Sequence, residues 1–185
     1  MTMNFASAAR TFLQLTILAV VGAGSSSAQT TNFVLSPGRA GFVQLGATVD
    51  EIYRLVGRPQ VRLVDLFSEG HFTPAIEISS PGATSPSIVA RIREFPCGQF
   101  AIDGIKVLDQ RFRTEEGVGV GSMIRDLRRV YEVQLNREEG HSVIVSSKRM
   151  TFEIAGTSFA DAVRVSSVWL WPDPGDVKER RCPSP

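Results

Sequence analysis

Gly41-Phe42-Val43-Gln44-Leu45-Gly46-Ala47-Thr48-Val49-Asp50-Glu51-Ile52-Tyr53-Arg54-Leu55 returns later in the chain as Glu116-Gly117-Val118-Gly119-Val120-Gly121-Ser122-Met123-Ile124-Arg125-Asp126-Leu127-Arg128-Arg129-Val130. With Gly121 set against Gly46, an offset of 75 positions (121 minus 46), Val43 matches Val118, Leu45 matches Val120, Ile52 matches Leu127, Arg54 matches Arg129 and Leu55 matches Val130. A second anchor agrees with one residue of slippage, Phe95-Pro96 corresponding to Trp171-Pro172. A repeat of this length marks a supersecondary unit that can share a sheet or core with its twin. Two tandem units are therefore predicted, residues 29–110 and 111–172, followed by an extended tail, 173–185, with three prolines and several charges.

Each unit opens on a short helix. Thr48 and Glu51 form the Thr-x-x-Glu pattern of a capping box, in which hydroxyl and carboxylate satisfy amides that the first helical turn leaves unpaired. Val49, Ile52 and Leu55/Val56 follow at helical spacing, and Gly57 with Pro59 ends the run. In the second unit Ser122 is the expected N-cap, with Ile124, Leu127 and Val130/Tyr131 as the apolar stripe. Helices this short do not persist alone, so they must pack on something. That something reads as β: 61–67, 73–78, 88–95 and 100–108 in the first unit, with Asp103-Gly104 as a hairpin signal inside the last run. The second unit repeats the plan with 132–135, 142–145, 149–154 and 163–171. The predicted class is α+β: two tandem repeats, each a short helix followed by antiparallel strands. If the units lie side by side, their sheets join into one continuous concave face, and one helix per unit covers only one side of it.

Composition narrows the functional classes. Lys and Arg number 20 against 19 Asp and Glu, a net charge of +1, so bulk charge attracts neither nucleic acid nor an anionic membrane. Arg10, the apolar run 12–21, and a Ser25-Ser26-Ser27-Ala28 end form the pattern of a cleaved secretory signal peptide, residues 1–28. The run is about half the roughly 20 apolar residues a membrane span needs, so no stable insertion is expected after cleavage. The expected location is the periplasm or the cell exterior. In an oxidising compartment the two cysteines, Cys97 and Cys182, are expected to pair, with two free thiols as the alternative. The chain-entropy model assigns such a bridge about 4–5 kcal/mol as an upper figure.

Two glycine-containing lead-ins of the type Val-x-Leu/Val-Gly-Ala/Ser, each followed by a short helix and antiparallel strands, resemble the β-lactamase-inhibitory-protein-like fold over most of 33–172. The single unit is also similar to small envelope domains of the SmpA/OmlA type. The resemblance implies a binding module that grips a protein partner with a concave sheet face and exposed aromatics. The matching positions, Gly46, Gly121 and the helix stripes, are structural, and the lipidated cysteine of an anchored lipoprotein is missing.

No motif for catalysis stands out. His71 and His141 each sit in a Glu-Gly-His triplet; they read as hairpin turns, the sharper alternative being a symmetric metal or pH-sensing pair. The Gly117–Gly121 run lacks the Lys-Ser/Thr of a phosphate loop and the third glycine of a dinucleotide loop. Gly156-Thr157-Ser158 has no later histidine to act as its base. Trp169 and Trp171 share one strand face, assigned by alternation together with Val163 and Val165, as buried core or as an exposed platform joined by Arg91, Arg93 and Phe95. The expectation is an exported, non-enzymatic protein-binding or inhibitor-like module without a cofactor or metal, whose patch is Arg91, Arg93, Phe95, Trp169 and Trp171. The rival is a small envelope hydrolase or ligand-binding protein working from an unrecognised pocket.

Overall fold

Long alternating strands dominate the computed structural model, which describes residues 33–68, 70–80, 83–95, 98–138 and 141–172. In chain order they are β1 (Val34–Ser36), β2 (Arg39–Ala40), β3 (Val43–Gln44), helix α1 (Val49–Val56), β4 (Val61–Ser68), β5 (His71–Ile78), β6 (Ile88–Phe95), β7 (Gln99–Val107), β8 (Arg113–Thr114), helix α2 (Ile124–Val130), β9 (Gln134–Asn136), β10 (Ser142–Val145), β11 (Met150–Ile154) and β12 (Val165–Leu170). An eight-stranded sheet runs in the order β4-β5-β6-β7-β12-β11-β10-β9, all its pairs antiparallel, and a small sheet runs β3-β2-β1-β8.

The expected α+β class of two tandem helix-plus-strand repeats is corrected by this topology. The protein is mostly β, with sheets of four and eight strands and two short helices among the described residues. The second sheet is the physical reason: β1 pairs in parallel with β8, so chain assigned to two separate units hydrogen-bonds into one sheet. The sequence self-similarity reflects a shared local lead-in. Gly46, at φ 80°, donates its N–H to the Ile102 carbonyl of β7, and Gly121, at φ 87°, donates to Val165 of β12. Both glycines stand in the left-handed region that a side chain disfavours.

The capping box of α1 is present, Thr48 N–H donating to the Glu51 carboxylate at 2.7 Å and Glu51 N–H to the Thr48 hydroxyl at 3.2 Å. In α2 the N-cap is Met123 instead of the expected Ser122; its N–H donates to the Asp126 carboxylate at 3.0 Å, while the Ser122 hydroxyl accepts from Gly119 N–H. Ile52, Ile124 and Leu127 are fully buried from the helix side against a core that includes Ile76, Ile102 and Phe152. Among the described residues no helix is long and apolar enough to cross a membrane. The leader 1–28, the tail 173–185, and both Cys97 and Cys182 lie outside the described residues.

Asp103-Gly104 is not a hairpin turn. Strand β7 runs straight through it, and the pairing with β6 slips there, Arg91 facing Gly104 and Ile92 facing Ile102. Asp103 is the extra residue of a β-bulge, a device that re-aims side chains without ending the strand. A second slip lies between β11 and β12, where Glu153 faces Ser167 and Ile154 faces Val165, leaving Ser166 as the extra residue.

Candidate binding face on the open side of the large sheet

Both helices pack on one side of the eight-stranded sheet, so the opposite side of its central strands has no covering layer among the described residues. Alternation along β6 sends Ile88, Ala90 and Ile92 to the core and Arg91, Arg93 and Phe95 to the open face. On β12, Val168 and Leu170 join the core. Trp169, and Trp171 just beyond the strand, take the open face. The bulge at Ser166 shifts the phase, so Val165 packs with the core and not beside Trp169, correcting the alternation read through from 163 to 171.

All five expected patch residues therefore meet on one face, but unequally. Trp169 is only 7% exposed, Trp171 and Phe95 are half-buried, and the Arg93 side chain is 51% exposed. The two indoles stack in parallel, ring centroids 4.8 Å apart and planes 9° from parallel. The Arg91 guanidinium lies 5.3 Å from the Trp171 ring, and the Lys106 ammonium 5.2 Å from the Trp169 ring. The outcome is a ladder of cation, ring, ring and cation across three strands, its outer steps a positive charge against a π-face and its middle step the stack of two parallel indoles.

Carboxylates beneath the ladder hold it in place. Asp103, buried in the bulge, accepts from Arg91 Nε at 2.8 Å and Nη2 at 3.2 Å, and lies 3.7 Å from Arg93 Nε. One acid thus serves two guanidinium groups, and Arg93, extended over Phe95 at 5.1 Å, is the more open of them. Glu153 accepts from Trp169 Nε1 at 2.7 Å and from the Ser167 hydroxyl, and pairs with Lys106 at 2.8 Å. Burial on its own would raise the Glu153 carboxyl, but the hydrogen bonds from Lys106, Ser167 and Trp169 overcome it and hold the pKa below the ordinary glutamate value. Trp171 Nε1 donates to the Thr151 hydroxyl at 3.2 Å.

Lys106, Asp103, Glu153 and Thr151 escaped the sequence reading. Their signal was present as single polar residues inside apolar alternation, Lys106 between Ile105 and Val107 and Glu153 between Phe152 and Ile154. Which polar residues meet is set by the β7–β12 pairing, where Trp169 faces Lys106.

The other sequence candidates do not converge. His71 opens β5 and His141 precedes β10, with four strands between those two in the sheet. Among the described residues no group of three potential metal ligands occurs. The glycines before α2 have backbone reasons, since a Cβ on Gly119 would stand 2.2 Å from the Phe112 carbonyl oxygen. A concavity of about 630 Å³ opens on the helix side, lined mainly by Val49, Tyr53, Leu63, Pro74, Ile92 and Phe100. Of its polar lining, Thr48 is used as the cap of α1 and Arg54 Nε donates to the Asp50 carbonyl.

No family model and no curated protein matches this chain. Among solved structures, the uncharacterized protein yfeY from Escherichia coli is similar, with a TM-score of 0.51 and 14% identity over 75% of this chain and 97% of that chain. At this identity the likeness is one of fold alone.

Proposed function

We propose that the protein is a binding module that engages another protein through the open face of the eight-stranded sheet. The observation that carries this reading is the Arg91–Trp171–Trp169–Lys106 ladder, with Arg93 and Phe95 at its margin, on a sheet face without a covering layer among the described residues. Trp and Arg are the residues that dominate protein interfaces, and anchors work best when their own neighbours preorganise them. Here Trp169 and Asp103 serve as the buried support, and Trp171, Phe95 and Arg93 form the contact surface.

The test is site-specific photo-crosslinking in cells that export the full chain, with the reactive side chain at Thr151 on the open face or at Arg125 on α2. A discrete protein adduct from Thr151 only, lost on Arg93→Glu, is the expected result. Equal adducts from both positions, or an adduct indifferent to Arg93→Glu, overturns the reading.

A further inference from the structure

The two edges of the eight-stranded sheet are built differently. The β9 edge is three residues long, whereas the β4 edge is eight residues long and carries Val61, Leu63, Val64, Leu66 and Phe67. Long, apolar edges are a liability that proteins ordinarily blunt or cover. Hydrogen bonding fixes which groups face outward. Ser79 N–H donates to the Gln60 carbonyl, so residues 60 and 79 form a hydrogen-bonded pair, and the ladder 61↔78 to 68↔71 alternates from there. The backbone groups of Val61, Leu63, Asp65 and Phe67 therefore point to the outer edge, which pairs with no other strand among the described residues. The same phase turns the even residues of β5 toward β6, as Ile78 does in accepting from Ser87 N–H.

That phase explains why the outer half of the hairpin stands apart. Pro74 has no N–H to give β6, and the β5–β6 pairing ends at Ala75↔Arg91. Beyond it, Asp65–Ser68 and His71–Pro74 form a two-stranded arm. Two strands alone are marginal in water. On this arm Phe67 and Phe72 touch at 5.1 Å between ring centroids yet remain 62% and 71% exposed, and Leu63, on β4 just before the arm, is 66% exposed.

We infer that a second copy of this chain pairs antiparallel along β4, about a two-fold axis at Val64, to give one sheet continuous across two molecules. Of the registers that keep core-side residues together, this one uses the whole strand. Val61 faces Phe67 of the other copy and Leu63 faces Asp65, about eight new backbone hydrogen bonds at two for each facing pair. An axis at Leu63 or Asp65 yields about six by the same count, and the latter also sets two carboxylates opposite one another. With the axis at Val64 no like charges face, since Arg62 stands opposite Leu66 and is itself paired with Glu77. Each unsupported arm tip then lies against the sheet-anchored base of its partner. The three-residue β9 edge cannot continue the array, so the pairing closes as a dimer and does not grow into a filament.

The experiment uses the mature protein with its native cysteines. Sedimentation equilibrium from micromolar to millimolar concentration should show a reversible monomer–dimer exchange that Leu63→Pro abolishes, because proline there removes only an outward N–H. Val64→Cys should form a disulfide-linked dimer under mild oxidation, its Cβ facing its own copy at bonding distance. Leu66→Cys and Arg62→Cys should cross-link only when mixed. A monomer at every concentration, Val64→Cys dimers no faster than those of the wild type, or association unaffected by Leu63→Pro overturns the inference. So does binding of a strictly monomeric chain to phosphatidylcholine vesicles, which would assign Phe67 and Phe72 to lipid.

Discussion

Replacing Trp169 by alanine removes the middle of the ladder and distinguishes support from contact surface. Trp169 is almost fully buried, stacks on Trp171, lies under Lys106 and donates to a carboxylate. Truncating such a residue in a core costs about 3–5 kcal/mol. The site faces the open side of a sheet, where Trp171 can settle into the gap, so the lower end applies, about 3 kcal/mol. Trp171→Ala removes a half-buried ring and the same stacking, about 1.5 kcal/mol by area and pair energy. At roughly 3 °C per kcal/mol for a domain of this size, the melting temperatures fall by about 10 °C and about 5 °C. A double-mutant cycle in urea should return a coupling of about 1 kcal/mol between the two rings. If Trp171→Ala costs as much as Trp169→Ala, or the coupling is zero, the two rings do not act as one unit and the division into support and contact fails.

Asp103→Ala strands two guanidinium groups over a bulge and should cost about 2–3 kcal/mol in urea unfolding; a loss under 0.5 kcal/mol would show that the bulge holds without its counter-charge. Gly119→Ala places a methyl against the Phe112 carbonyl and should lower the melting temperature far more than Gly156→Ala, which meets nothing within 4 Å although its φ of 95° carries its own strain. Acid should destabilise the fold through two carboxylates. Hydrogen bonding from Arg111 brings Asp109 down to about 2, and Lys148 with Tyr131 brings Glu116 down to about 2. Both folded values lie below the unfolded ones, so their stabilisation is complete above about pH 5 and lost as the pH falls toward 2. Glu116→Gln should flatten the melting curve against pH over that window, and an unchanged slope would refute the assignment.

Short-range chemistry was legible in the residues themselves. Thr48 and Glu51 name a helix start because both partners of the capping box lie within one turn, and 88–95 and 142–145 read as strands from composition and alternation alone. Arg91, Arg93, Phe95, Trp169 and Trp171 were grouped from residue type and strand alternation, whereas it is the sheet order that brings β6 and β12 to either side of β7. Bulges were not. An extra residue such as Asp103 or Ser166 is invisible along a single strand, because a bulge is defined against the partner strand. Missing it turned Asp103-Gly104 into a hairpin and placed Val165 beside Trp169.

The class of the fold was likewise a long-range matter. The similarity of 41–55 to 116–130 is a fact of sequence, and it carries the left-handed glycines and the helices that follow them. Whether those stretches head two independent units depends on what β1 pairs with, and it pairs with β8, across nearly 80 residues of chain. Local sequence determined helix starts, strand positions and the residue types of the patch, since those follow from backbone dihedrals and side-chain periodicity within a few residues. Tertiary structure alone decided the strand order, the two phase shifts and the burial of Trp169 beneath Trp171, because each depends on hydrogen bonds and contacts between segments that the sequence keeps far apart.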